Sequence, residues 1–154
     1  FKQKTAYEIR LSLVGSEMCI RDRVKWKGLQ DEAERMAAHW RNLHLMMIAD
    51  SVNIDALALQ IQATNTPRAR FYGPQLKPGE KLHQYLPQVK LSGRITGISG
   101  AEDQVAKAIM GEQEAALRAI HPSARFHAIK GAGHWVQYEA AEAYNPLLLE
   151  ALGG

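Results

Sequence analysis

The chain has 154 residues, of which 46% are hydrophobic and 23% charged, with a formal net charge of +3 and a single cysteine. No run approaches the roughly 20 consecutive apolar residues that span a bilayer, and the composition shows neither low complexity nor an internal repeat. One cysteine closes no disulfide within the chain, and the length suits one domain.

The first stretch stands apart from the rest. Phe1–Ile9 (FKQKTAYEI) resembles the in-frame translation of a sequencing flow-cell adapter, and Ser12–Arg23 (SLVGSEMCIRDR) resembles that of a transposase adapter. Arg10 and Leu11 fall where an index barcode would lie between them. On this reading residues 1–23 are a translated artefact and not a domain, and such segments are set aside before a fold is argued. Cys19 goes with them, which removes any thiolate nucleophile or cysteine-based metal site. Lys2, Lys4, Arg10, Arg21 and Arg23 against Glu8, Glu17 and Asp22 account for two of the three net positive charges. The sequence pI of about 9.1 is then no argument for nucleic acid or an anionic membrane, either of which would want basic residues clustered on one face. No such cluster follows Arg23, so neither partner is expected. Tyr7, Ile9, Leu11, Leu13 and Val14 could cover an apolar face only opportunistically.

From Leu29 to Ile48, apolar residues at Leu29, Ala33, Met36, Trp40, Leu43 and Met47 recur at helical spacing and predict one buried stripe. Asp31, Glu32 and Glu34 fall in the first turns, where the helix dipole favours acids. Ser51 or Asn53 is a candidate N-cap for a second helix with Ile54, Leu57, Ala58 and Ile61 inward. Pro67 should end that helix by Asn65, so residues 24–86 read as a helical hairpin followed by a connecting loop. The loop, from Arg68 to Pro87, is marked by Gly73, Pro74, Pro78, Gly79 and Pro87.

Residues 87–154 read as α/β. Gly93–Ser99 (GRITGIS) is a strand candidate, and Gly100–Asp103 a polar turn. Gln104–Ile120 is a helix with Val105, Ala108, Ile109, Ala116, Leu117 and Ile120 on one side, stopped by His121 and Pro122. Ala124–Ile129 (ARFHAI) is a second strand, Gly131-Ala132-Gly133 a tight turn, and a last helix starts at Val136. Strand, helix, strand, helix implies a parallel pair.

Two reactive residues then fall at equivalent places, just past the carboxyl ends of the two strands, where open parallel sheets bind ligands. They are Asp103 and His134. An acid followed by a histidine in this order matches the back half of a Ser…Asp…His triad in hydrolase chain order, in which the aspartate fixes the histidine tautomer and the histidine shuttles the proton. Glu102 is a second candidate acid, and Asp103 could also serve as N-cap of the helix that follows it. Trp135, Met46 and Met47 are weaker candidates for substrate contact, with helix or core packing as the competing use. His39, His44, His83, His121 and His127 show no ligand spacing that marks a metal and read as surface or satisfied structural residues. No metal and no cofactor is expected.

Gly131–Asn145 (GAGHWVQYEAAEAYN) resembles the catalytic-histidine segment of α/β-hydrolase-fold enzymes, nearest to esterase-like and carbon–carbon bond hydrolase members. GISGAED resembles the acid loop of that family, and the helical hairpin resembles part of its cap. Ser99 and Ala101 stand where an aromatic and a charged residue are more usual, and Pro146 would break or kink the last helix. The resemblance implies a serine hydrolase without a cofactor, with His134 as general base and Asp103 orienting it. Its substrate would be a small acyl ester or a ketone with an activated carbon–carbon bond.

The nucleophile that would complete such a triad is missing. Ser12, Ser16, Ser51, Ser92, Ser99 and Ser123 all lack the full pair of flanking glycines and the strand-to-helix turn of a Gly-x-Ser-x-Gly elbow. The oxyanion hole would also come from upstream. The expectation is therefore a C-terminal fragment of an α/β-hydrolase, cut at the Arg23–Val24 junction and inactive alone. It would be soluble; the compartment stays open, with the cytoplasm as the default, because any signal peptide would lie upstream of the break. An apolar edge left bare where the rest of the sheet should pack could self-associate non-specifically. The alternative is a non-catalytic helical binding module that offers the Met46–Met47 face of the hairpin to a partner helix.

Overall fold

The structure, a computed structural model, describes residues 23–69 and 95–153. The expectations for residues 1–22, for the body of the connecting loop, for His83 and Ser92, and for the start of the first strand lie outside these residues.

Helix α1 spans Glu32–Met46, shorter at both ends than the periodicity predicts. Asp31 precedes it as N-cap, its carboxylate accepting from the Glu34 amide at 3.0 Å, because a short acidic side chain satisfies a first-turn donor that no carbonyl can reach. The buried face is also rotated from the expected stripe. Ala38, His39, Asn42, Leu43 and Met46 face inward, while Ala33 is exposed and Trp40 is 39% exposed. The cause is polar. Asn42 makes paired hydrogen bonds with the main chain of Val24, accepting from its amide at 2.8 Å and donating to its carbonyl at 2.9 Å, and His39 packs against Trp26 with ring centroids 5.2 Å apart. Residues 24–26 therefore cover the side of α1 that apolar periodicity alone would leave to solvent.

A short 3₁₀ turn, Ser51–Asn53, is capped by Asp50, and helix α2, Ala56–Asn65, by Asp55, which accepts from the Ala58 amide at 2.8 Å. Neither Ser51 nor Asn53 is the cap of α2. The helix does end at Asn65, and Thr66–Arg68 continues as one 3₁₀ turn with Pro67 inside it. Ile54 and Ala58 are buried as expected, but Leu57 is exposed. Leu43, Ile48, Ile54 and Ala58 form the core of the hairpin, and Met47, Leu59, Trp135 and Tyr138 pack against it.

Strands β1, Thr96–Gly100, and β2, Arg125–Ile129, pair in parallel with Thr96 opposite Arg125 and Gly100 opposite Ile129. Between them a 3₁₀ turn at Lys107–Ile109 leads into helix α3, Met110–Ile120. The expected single helix from Gln104 is thus broken in its first turns, and none of its apolar residues is fully buried. His121 ends α3 in extended conformation, its amide bonded to the Leu117 carbonyl.

After β2 the chain turns at Gly131, whose φ of +74° suits a residue without Cβ. Helix α4, Val136–Glu139, and helix α5, Ala141–Gly153, follow. The last helix is interrupted at Ala140 (φ −130°, ψ 45°), and not, as expected, broken at Pro146, which lies inside α5. The architecture is mixed helix with a two-stranded parallel sheet, an α/β arrangement in which the hairpin and the C-terminal segment share one core through Trp135 and Tyr138. No helix among the described residues is long and apolar enough to cross a membrane.

Candidate functional site

The two loops that leave the carboxyl ends of β1 and β2 are laced together by backbone bonds. The Ala101 amide donates to the Ile129 carbonyl at 2.8 Å, and the Glu102 amide to the Ala132 carbonyl at 2.9 Å. Gly100 makes the crossing possible. A Cβ there would lie 2.2 Å from the carbonyl oxygens of both Ala132 and Gly133, closer than any side chain tolerates.

This crossing sets Asp103 beside His134. His134 Nδ1 lies 2.9 Å from Asp103 Oδ2; a carboxylate only accepts, so Nδ1 is the nitrogen that carries the proton. The other carboxylate oxygen, Oδ1, accepts from the amides of Val105 at 2.8 Å and Ala106 at 3.1 Å. Asp103 is thus both cap of the turn that follows it and partner of the histidine, and it is only 4% exposed. Its two roles use different oxygens. The His134 side chain keeps 18% of its surface, which leaves the imidazole at the edge of the fold and not inside it. Glu102 turns away from the pair, and its carboxylate holds Lys107 Nζ at 2.7 Å.

The other candidates are placed differently. Met46 is buried, while Met47 and Trp135 pack against the hairpin core, with Trp135 edge-on to Tyr138 at 6.0 Å between centroids. Each occupies a packing position here. Among the described histidines, His44 stacks beside Trp40, and His121 Nδ1 lies 3.3 Å from Ser123 Oγ. His39 departs from the expectation of a satisfied residue, because its buried Nδ1 has no hydrogen-bond partner. Burial, and then the charge of Arg35, holds its pKa below the usual value of 6.5. No group of acids and histidines among the described residues is arranged to hold a metal ion.

Ser99 comes nearest to a nucleophile elbow, in the run Gly97-Ile98-Ser99-Gly100-Ala101, where the last glycine is replaced. It sits within β1, opposite Ala128 in the ladder. The elbow chemistry instead needs the serine on a sharp turn beyond a strand.

Glu139 carries a role that sequence reading missed. Its Oε2 accepts from the Gly133 amide at 2.6 Å and the Ala49 amide at 3.0 Å, and its Oε1 from the Asp50 amide at 2.7 Å and Asn53 Nδ2 at 3.5 Å. The Trp135 amide adds a bond to the Met47 carbonyl at 2.8 Å. The turn that bears His134 is therefore fastened to the α1–α2 connection from both sides. The only sequence signal was an acid one helical turn past a Gly-rich loop, which is too common to single out. Tyr138 Oη donates to Asp55 Oδ1 at 2.5 Å, a second tie between α4 and the hairpin. Burial, and then this bond, pushes the Tyr138 pKa up to about 12, while the tyrosine bond and the Ala58 amide hold Asp55 below the usual carboxylate range.

Set against protein families, curated proteins and solved structures, the chain matches none of them.

Proposed function

We propose that Asp103 and His134 are the acid–base half of a hydrolytic triad of the α/β-hydrolase kind. The observation that carries this reading is the part-buried 2.9 Å contact between Asp103 and His134 Nδ1, made between two loops that leave the same ends of adjacent parallel strands. With Nδ1 committed to the carboxylate, proton transfer falls to Nε2. It would take the proton of a serine hydroxyl as that oxygen attacks a carbonyl carbon, then return it to the departing alcohol or carbanion. Asp103 steadies the imidazolium formed in between. The substrate is a small ester or a carbon–carbon bond activated by a neighbouring carbonyl, and no cofactor takes part.

This sequence contains no Gly-x-Ser-x-Gly elbow, and loss of the nucleophile from a triad costs on the order of 10⁶ in rate. The present chain accordingly turns over no ester. Two observations test the proposal together. Purified protein should not hydrolyse a short-chain p-nitrophenyl ester above background, and the coding DNA upstream of the Val24 codon, read from an adapter-free contig, should encode a strand, a Gly-x-Ser-x-Gly turn and a helix. Turnover by this chain that disappears in His134→Ala, or an upstream region without that motif, would overturn the reading. The alternative of a binding module built on the methionine face gains nothing from the structure, because Met46 is buried and Met47 packs inward.

A further inference from the structure

We infer that Glu139 is a positioning residue for His134, through which the hairpin fixes the seat of the imidazole against Asp103. Four donors converge on one carboxylate. Three are backbone amides, and one of those, on Gly133, belongs to the residue immediately before His134. The other two amides, on Ala49 and Asp50, lie in the connection between α1 and α2. A short polar bridge thus joins an element that carries no reactive group to the turn that carries the histidine.

The fit leaves little slack. A Cβ on Gly133 would sit 2.8 Å from both the Ala49 amide nitrogen and the Met47 carbonyl oxygen, and 3.2 Å from Glu139 Oε2. On the other side of the same turn, the carbonyls of Ala132 and Gly133 leave no room for a Cβ on Gly100. The histidine turn is clamped between the end of β1 and the hairpin connection, and Glu139 supplies acceptors for amides that no helix or ladder pairs. Removing the carboxylate strands these donors, and an amide left without an acceptor at a part-buried site is unfavourable. The turn relieves this by shifting toward water. Such a shift moves His134 relative to Asp103, whose own place is held independently by the Val105 and Ala106 amides. The catalytic consequence rests on the reading of the pair as acid and base, whereas the positional consequence does not.

The experiment is proton NMR of the whole chain at low temperature, following the low-field resonance of the His134 Nδ1 proton, assigned by its loss in His134→Gln and in Asp103→Asn. In Glu139→Ala that resonance should be lost, while the backbone amide signals of Leu43, Ala58, Ile98 and His127 keep their dispersion. Glu139→Gln retains one acceptor oxygen but turns an N–H₂ toward the remaining amides, so it should give a broadened, weakened signal. If Glu139→Ala is unfolded, Gly133→Ala decides, since it forces the turn and the connection apart with the carboxylate intact and should also abolish the resonance. An unchanged resonance in folded Glu139→Ala, or in Gly133→Ala, overturns the inference, as does its absence from the unsubstituted chain. A resonance that depends on Glu139, in a protein whose activity with its upstream segment restored ignores His134, would instead leave the inference standing and remove the hydrolase reading.

Discussion

Asp103 divides its carboxylate between two tasks, and a pair of substitutions separates them. Asp103→Ala removes Oδ1 from the Val105 and Ala106 amides and Oδ2 from His134. Loss of the cap costs about 1 kcal/mol, and loss of a hydrogen bond to a charged partner about 1.5–3 kcal/mol. At a site 4% exposed water does not readily replace either, so the total is about 3 kcal/mol. Asp103→Asn keeps an oxygen for the two amides and places an N–H₂ where Oδ2 was. The imidazole answers by changing tautomer, so that Nδ1 accepts, and the cost falls to about 1 kcal/mol. Urea unfolding followed by circular dichroism measures the difference, provided the slope with denaturant stays constant across the three proteins. Equal destabilisation by the two substitutions, or an alanine variant within about 0.5 kcal/mol of the unsubstituted chain, would refute the division of roles.

The buried His39 gives the protein an acid sensitivity of definite sign. Its folded pKa lies below the unfolded value of 6.5, so the unfolded chain binds more protons as the pH drops through that value, and stability present above it is progressively lost. His39→Phe should flatten the fall of the melting temperature below about pH 6.5, and an unaltered slope would show that other groups set it. Tyr138 acts at the opposite extreme. With a folded pKa of about 12 against an ordinary 10.0, its contribution is complete below pH 10 and disappears as the pH rises to about 12, because the unfolded phenol ionises first. Tyr138→Phe should lower stability slightly at neutral pH through the lost bond to Asp55 and should lessen the alkaline decline of the urea midpoint. An equally steep decline in the variant would place the alkaline loss elsewhere.

Much of the fold was legible because it rests on local rules. α2 ended at Asn65 ahead of Pro67, the GISG and RFHAI runs became parallel strands, and the loops at their ends delivered an acid and a histidine to one place. Periodicity failed where polar side chains set the rotation of a helix. Asn42 and His39 face inward because Val24 and Trp26 lie across them, a tertiary arrangement that a count of apolar spacing cannot see. The cap was ambiguous because Ser51, Asn53 and Asp55 are all good cap residues; Asp55 takes the place and also accepts from Tyr138, far along the chain. Asp103 was legible as the neighbour of His134, which its Oδ2 is, but not as the N-cap of a helix from Gln104, because its Oδ1 caps only the turn at Val105 and Ala106 and the helix starts later. Glu139 was hidden because three of its four partners are backbone amides, which leave no mark in a sequence. The position of the last helix break escaped for want of any local signal, since Ala140 is neither glycine nor proline.

The central claim is that His134 is a general base held by Asp103. It is tested most directly by kcat/KM for p-nitrophenyl acetate, measured on the protein extended through its recovered upstream segment and on the same protein with His134→Gln. The expected result is a loss on the order of 10⁴ to 10⁶. A variant within tenfold of the parent would contradict it.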